Sequence, residues 1–125
     1  DWDRMLAVHL TGCFLTCRRA VDGMLGQGRG NIINIASQLG QIGAGELVHY
    51  SAAKAGMIAF GQALRPEVEG LGIALHTVIP GQLQLQPGGT GLPPAHVAQC
   101  IHELIVQRAT GCAGTDVILD ETLSE

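Results

Sequence analysis

The sequence predicts an α/β fold in which a parallel sheet of three contiguous strands is flanked by helices. Three short apolar stretches, 31–37, 73–79 and 114–120, are rich in β-branched residues and are bounded by turn-forming segments, which is typical of strands. Longer segments with apolar residues at helical spacing separate them. Because helices that alternate with strands form right-handed crossovers, the strands should run parallel. The 125 residues are enough for one domain with one core.

The first two elements are a long helix and a strand. In residues 2–25, apolar residues such as Met5, Val8 and Leu15 share one sector of a helix. The glycines of "GQGRGN" then predict a turn. The stretch 31–37 is apolar at nearly every position, so we expect a parallel strand that is buried on both faces.

A glycine-rich loop, 40–45, precedes a second long helix over residues 48–70. Alanine, serine and glycine dominate the first half of this helix, and such small residues let another backbone approach closely. Pro66 lies near its end and is expected to kink or terminate it. The stretch 73–79 predicts the second buried strand.

The last third of the chain predicts a loop, a helix and a final strand. Glycine and proline mark residues 80–94 as a loop. The helix that follows should begin with Pro94 in its first turn, a position that proline favours, and continue to residue 107. The stretch 114–120 would close the sheet.

Composition excludes several classes of function. The net charge is -4, and the seven lysine and arginine residues are scattered, which argues against a nucleic-acid surface. No apolar run approaches the roughly 20 residues that a membrane-spanning helix needs, and "DWDRMLAVHL" lacks the pattern of a signal peptide. We therefore expect a cytoplasmic protein. The 46% of hydrophobic residues against 14% of charged ones predicts a large partner interface or an incompletely covered domain.

The cysteines and histidines do not predict a metal site. Cys13, Cys17, Cys100 and Cys112 include no C-x-x-C pair, so reduced thiols in a cytosolic core are the favoured interpretation. The five histidines show no H-E-x-x-H pattern.

One polar pair stands among small residues, in "VHYSAAKAG". Tyr50 and Lys54 are four residues apart, so they share one face of the predicted helix. A neighbouring ammonium stabilises a phenolate, which suits a tyrosine for general acid–base work on a carbonyl or alcohol. Taken alone, however, such a pair is more often a surface pair.

Two further features lie where a ligand would bind. Ser37 ends the first strand, thirteen residues before Tyr50, and ligands of open α/β sheets bind beyond the carboxyl ends of strands. Ser37 could therefore bind a substrate oxygen, or it could be an ordinary turn residue or helix cap. Pro80 and Gly81 follow the second strand, where they shape a turn or let backbone approach a flat ring.

Together, "NIINIAS", "YSAAKAG" and "IPG" resemble, in order and spacing, the classical short-chain dehydrogenase/reductase family. The resemblance covers essentially all 125 residues and implies a partial Rossmann-like three-layer fold. It also implies hydride transfer between NAD or NADP and a small-molecule carbonyl/alcohol pair. Tyr50 would be the acid/base, Lys54 would tune it and bind the nicotinamide ribose, and Ser37 would orient the substrate oxygen. The backbone of Pro80, Gly81 and Leu83 would line the nicotinamide.

The sequence departs from this family in several places. No glycine-rich phosphate loop follows a strand near the N-terminus, so we expect residues 1–125 to be the C-terminal catalytic half, with the N-terminal dinucleotide-binding half absent. His9 and His76 stand where the family commonly has asparagine. For His76, a satisfied polar group at a strand end is favoured. No threonine follows Pro80–Gly81, and the loop from Gly81 to Pro94 is short for a substrate lid.

Two functions therefore stay open. The first is an NAD(P)-dependent oxidoreductase, and the second is a truncated or degenerate, non-catalytic family member that acts as an interaction or dimerisation module. The family implies a homo-oligomer, dimer or tetramer, through helices 2–25 and 48–70. In the family's strand order, 31–37 would expose an unpaired edge, which favours association.

Overall fold

The computed structural model describes residues 1–108 and 113–120, and within them the chain forms a parallel sheet flanked by helices. The strands are β1 (Gly30–Ile35), β2 (Ile73–Pro80) and β3 (Asp116–Leu119). They lie in the order β1-β2-β3, with Gly30 opposite Ile73 and Thr77 opposite Asp116. The predicted α/β class and the three contiguous parallel strands are confirmed.

Five α-helices and one π-helical segment accompany the sheet in the described residues. They are α1 (Trp2–Leu6), the π-helical segment (Ala7–Thr11), α2 (Gly12–Gln27), α3 (Leu39–Ile42), α4 (Val48–Glu69) and α5 (Pro94–Arg108). The helix predicted over 2–25 is thus a continuous helical run that is interrupted by a wider π turn. It ends at Gly28, whose φ of 70° is the left-handed conformation that glycine adopts readily at helix ends.

The core lies between the sheet and the pair α2 and α4. Side chains from α2, α4, β1 and β2 form one buried cluster of Cys13, Cys17, Ile32, Met57, Val68, Ile73 and Leu75. The small residues of α4 permit this packing. A Cβ on Gly61 would lie 2.6 Å from Thr77 Oγ1, so only glycine lets α4 come this close to β2.

The second face of the sheet is covered as well. All eight residues of β2 are buried, and α5 contacts β1 and β2 while burying Leu104. Because alternate strand residues face opposite sides, helix α5 covers the face of β2 that α2 and α4 leave open. The helices therefore lie on both faces, as the three-layer prediction requires.

Strand β1 differs from its prediction. Ile32 is its one fully buried residue, and Ile35 is 37% exposed. Strand β1 is less buried because it lies at the edge of the described sheet, where it pairs with β2 alone and its other edge is open. The predicted exposed edge is confirmed, whereas the predicted burial on both faces is wrong for β1 and correct for β2.

Two local predictions need correction. Residues 40–45 are not wholly a loop, because α3 forms over Leu39–Ile42, with the Ser37 Oγ accepting the N–H of Leu39 at 3.1 Å. Pro66 was expected to kink or terminate α4, and it does not terminate the helix, which continues to Glu69. Val68 is 2% exposed within the core, so packing holds the last turn in place.

Cys13 and Cys17 are buried free thiols, as predicted, and Cys100 is a free, partly exposed thiol. Cys112 lies outside the described residues. Among the described residues, no helix has both the length and the apolar character to cross a membrane, and no cluster of metal-binding side chains occurs.

Candidate active site

The carboxyl ends of β1 and β2 open into a cleft of about 600 Å³. This edge is where the topology of parallel sheets places ligands. All six predicted site residues line the cleft, namely Ser37, Tyr50, Lys54, Pro80, Gly81 and Leu83. Ser37 and Leu83, which are 46 positions apart in the sequence, are the most distant members of this set, and folding brings them to the same cleft.

Tyr50 and Lys54 lie in the first two turns of α4, on the face turned towards the end of β1. The Lys54 Nζ is 5.6 Å from the centre of the Tyr50 ring, so the ammonium sits beside the aromatic face. The same nitrogen donates a hydrogen bond of 3.3 Å to the Ile35 carbonyl oxygen. That bond ties the lysine to the last residue of β1 and holds the ammonium near the tyrosine.

Lys54 is only 8% exposed, which is unusual for a lysine. Burial lowers the pKa of Lys54, because removing water disfavours the ammonium, and a smaller contribution from Cys13 acts in the opposite direction. The charge is therefore held in the cleft at a cost in free energy. Such an arrangement is more common at functional sites than on ordinary helix surfaces.

Ser37 lies in the turn that leads into α3. Its Oγ accepts the N–H of Leu39, the first residue of that helix. Accepting that bond uses one lone pair and leaves the hydroxyl hydrogen available to donate. The bond therefore fixes the side chain and leaves its hydroxyl free to donate into the cleft.

Gln38 is a site residue that the sequence reasoning missed. Its backbone N–H donates to the Pro80 carbonyl at 3.0 Å, and its Nε2 donates to the Leu119 carbonyl at 3.4 Å. The Gly81 N–H donates to the same carbonyl at 2.8 Å. A Cβ on Gly81 would lie 3.0 Å from the Gln38 Oε1, so a side chain there would displace Gln38. Adjacency to Ser37 was the available signal.

His9 contacts the site through Tyr50. Its ring meets the Tyr50 ring edge to face, with centroids 5.6 Å apart and planes at 81°. Burial, and after it the positive charge of Lys54, keep the pKa of His9 below its usual range. The sequence drew attention to His9 as a departure from the family pattern but did not predict this ring contact.

His76 is separate from this constellation. It lies within β2, is 1% exposed, and its Nδ1 accepts the N–H of Thr115 at 3.3 Å. That agrees with the satisfied polar group that the sequence favoured.

The loop between β2 and α5 is folded back on itself. Gln84 N–H donates to the Leu92 carbonyl at 2.9 Å, and Leu92 N–H donates to the Gln82 carbonyl at 2.7 Å. Leu92 is only 2% exposed, so burial of its side chain also holds the loop in place. The two hydrogen bonds and the buried Leu92 together keep Leu83 at the cleft.

Comparison with known proteins identifies the family. The model for short chain dehydrogenase matches residues 1–87. Over 83 residues the chain is 41% identical to an acetoacetyl-CoA reductase of Cupriavidus necator, which covers 66% of this chain and 34% of that protein. Over 82 residues it is 42% identical to a (3R)-3-hydroxyacyl-CoA dehydrogenase of Canis lupus familiaris, covering 65% of this chain and 32% of that protein.

A solved structure shares the fold over nearly the whole chain. The structure is a 3-oxoacyl-[acyl-carrier protein] reductase with bound NAD from Brucella melitensis, with a TM-score of 0.82 and 28% identity. The match covers 94% of this chain and 50% of that one. The chain thus spans about a third of the length of these curated relatives and half of that structure. On these matches, the chain belongs to the short-chain dehydrogenase family.

Proposed function

We propose that these residues form the catalytic half of an NAD(P)-dependent oxidoreductase that transfers hydride between a nicotinamide and a small carbonyl or alcohol. The observation that carries this proposal is the meeting of Ser37, Tyr50 and Lys54 in one cleft at the carboxyl ends of β1 and β2. A tyrosine beside a buried ammonium and a fixed serine hydroxyl are the groups that proton transfer to a carbonyl oxygen requires.

The nicotinamide end of a cofactor fits this cleft. Its volume of about 600 Å³ is within the range of small-molecule sites. Gly81 leaves open the space beside Gln38 that a Cβ would fill. Backbone at Pro80, Gly81 and Leu83 would line the ring, and Lys54 would bind the ribose. The dinucleotide is NAD or NADP.

The pyrophosphate end lacks its usual partner. Neither G-x-x-x-G-x-G nor G-x-G-x-x-G, the glycine spacings that hold a pyrophosphate on a helix N-terminus, occurs in the 125 residues. We therefore propose that a dinucleotide-binding half, supplied by other residues, completes the cofactor site.

In the proposed reaction, a bound nicotinamide supplies or accepts the hydride. Tyr50 gives its hydroxyl proton to the substrate oxygen during reduction and takes it back during oxidation. Lys54 places its ammonium beside the Tyr50 ring, 5.6 Å from the ring centre. Ser37 donates to the substrate oxygen and fixes its distance from Tyr50.

The walls of the cleft indicate the class of substrate. Leu39 and Ile42 of α3 line one side, and Ile42 is 78% exposed, so the entrance is apolar. Among the lining residues that the structure describes, Lys54 is the one charged side chain. We therefore propose a small, largely apolar carbonyl compound or the alcohol derived from it.

Cofactor binding by the 125-residue chain tests the half-site proposal. NADH is titrated into the chain while the cofactor fluorescence is recorded. We expect no saturable change in the micromolar range, since the pyrophosphate has no glycine loop to bind. Tight, saturable binding would contradict the proposal and show that these residues hold a complete site.

We also propose a homo-oligomer through helices 2–25 and 48–70, in the cytoplasm. Between α2 and α4 lies a groove of about 370 Å³ lined largely by apolar side chains, including Phe14 and Phe60. Phe14 and Leu15 are 44% and 46% exposed, and such exposed apolar side chains favour association with another chain that covers them. Sedimentation velocity tests this: Phe14→Glu should lower the oligomeric mass, and an unchanged mass would exclude this surface.

The second candidate function is a non-catalytic interaction or dimerisation module. The absent glycine spacings and the open edge of β1 favour it. The two functions differ in one measurement on a protein that includes a dinucleotide-binding half. Oxidoreductase activity that is lost in Tyr50→Phe supports catalysis, whereas association without any turnover supports the module.

A further inference from the structure

We infer that His9 is a positioning residue for Tyr50, and that it holds the tyrosine ring only while its imidazole is neutral. The inference deepens the proposed function, on which it rests for the role of Tyr50. It concerns the ring contact between His9 and Tyr50, with centroids 5.6 Å apart and planes at 81°. Edge-to-face contacts of this kind stabilise a particular ring orientation.

The backbone fixes His9 in this contact. His9 is the central residue of the π-helical segment, and such wide turns occur mostly as single insertions near functional sites. The segment packs tightly on α4, because a Cβ on Gly56 would lie 2.9 Å from the Leu10 side chain. The imidazole therefore has a defined place beside the first turn of α4.

The charges around His9 favour its neutral form. The nearest titratable or charged groups on the elements packed against the segment are Asp3 and Arg4 in α1, Cys13 in α2, and His49, Tyr50 and Lys54 in α4. The next titratable group in α2 is Cys17, and the other charges of α2 and α4 begin at Arg18, nine residues after His9, and at Arg65, eleven residues after Lys54. Of all these, Lys54 is the group whose charge lowers the pKa of His9, after the larger effect of burial.

Protonation would therefore change the contact. An imidazolium at His9 would place a second cation beside the buried ammonium of Lys54. The two like charges repel each other, and the imidazolium gains hydration by moving away from the Tyr50 ring. Mildly acidic pH would thus release Tyr50 from its orientation, whereas near pH 7 the neutral imidazole holds it.

The chain offers a direct reporter, because Tyr50 is its only tyrosine. With ¹³C-labelled tyrosine, the ring signals of Tyr50 are followed by NMR between pH 5 and pH 8. We expect one inflection with a midpoint below 6.5, the ordinary value for histidine. The measurement requires neither cofactor nor turnover, so its failure is distinct from a failure of the proposed function.

Four variants identify the group whose titration causes the inflection. His9→Asn should abolish it, and His9→Phe should abolish it while keeping the ring signals near their high-pH positions. Lys54→Met should raise the midpoint towards 6.5, since it removes the repelling charge. His49→Asn is the matched control and should leave the inflection in place, because His9 is the imidazole in ring contact with Tyr50. Circular dichroism checks that each variant is folded.

Other results of the same experiments would overturn the inference. An inflection that persists in His9→Asn, or one that disappears in His49→Asn, assigns the titration to another group. Tyr50 signals that do not change over this pH range would show that His9 does not control the ring. In a protein with measurable turnover, the acid limb of the pH profile should also disappear in His9→Phe, and an unchanged limb would count against the inference.

Discussion

Replacing Lys54 by methionine should make the folded chain more stable at neutral pH. The ammonium is 8% exposed and donates one hydrogen bond, to the Ile35 carbonyl. A charge-assisted hydrogen bond contributes about 1.5–3 kcal/mol, whereas the penalty for burying an ion is still several kcal/mol after relaxation. Burial is the main cause of the lowered pKa of Lys54, so we expect the desolvation penalty to be the larger of the two.

The expected gain is about 1–2 kcal/mol at pH 7, the amount by which the desolvation penalty should exceed the contribution of the hydrogen bond. For a chain of this length, that corresponds to a rise in Tm of roughly 3–8 °C. The gain should shrink as pH rises. Between the lowered pKa of folded Lys54 and its ordinary value of 10.5, the unfolded wild-type chain binds more protons, so wild-type stability rises with pH there.

Urea unfolding followed by circular dichroism at pH 7, 8.5 and 10 measures both effects. Arg65→Met is the matched control, because Arg65 also lies on α4 and donates to a strand carbonyl, that of Leu75, at 2.8 Å. Arg65 is in addition paired with Asp116, so its loss should destabilise the fold. Guanidinium groups in proteins do not lose their proton, so this effect should be the same at all three pH values. A Lys54→Met chain that is less stable at pH 7, or whose advantage grows with pH, would refute the reasoning.

Three further outcomes follow from the structure. In a protein with a complete cofactor site, Tyr50→Phe should remove most of the oxidoreductase rate while the cofactor Kd stays nearly unchanged, and an unaltered rate would exclude Tyr50 as the acid/base. Leu75→Ala should cost about 2–5 kcal/mol in urea unfolding, because Leu75 is fully buried, and a loss below about 1 kcal/mol would show a core that collapses around the cavity. Gly61→Ala should destabilise, since its Cβ would lie 2.6 Å from Thr77 Oγ1, whereas Gly23→Ala, with open space around it, should stabilise by about 0.5–1 kcal/mol. If Gly61→Ala and Gly23→Ala changed the Tm by the same amount, the expected difference between the two positions would be wrong.

The order of elements was predictable from the sequence because it depends on periodic burial. Apolar spacing identified β2 and α4 nearly to the residue, and Pro94 marked the first residue of α5. Burial of β1 on both faces was not predictable from its apolar run. A hydrophobic segment shows that burial is favourable, but the number of neighbouring strands decides how much of it occurs.

Local features that depend on tertiary contacts were missed. Nothing in the periodicity of residues 2–25 distinguishes the π-helical segment, whose extra residue is accommodated by packing on α4. Pro66 was expected to kink or terminate α4, yet the helix continues to Glu69, where the buried Val68 keeps the last turn in place. Within the candidate site, residue types identified Ser37, Tyr50 and Lys54, whereas Gln38 acts through a partner that lies 81 residues away and is invisible to local patterns.

The bonds from Gln38 and Gly81 to the Leu119 carbonyl set the order in which the cleft can be completed. Closing a contact between residues 81 positions apart costs more chain entropy than forming the helices and hairpin-like loop in between. Folding of this region should therefore bring Ser37, Tyr50 and Lys54 together first, whereas Gln38 and Gly81 should be fixed only when β3 docks. A chain emerging from the ribosome would thus hold Ser37, Tyr50 and Lys54 in place before the neighbouring Gln38 and Gly81. Docking of β3 is therefore a late step in forming the cleft.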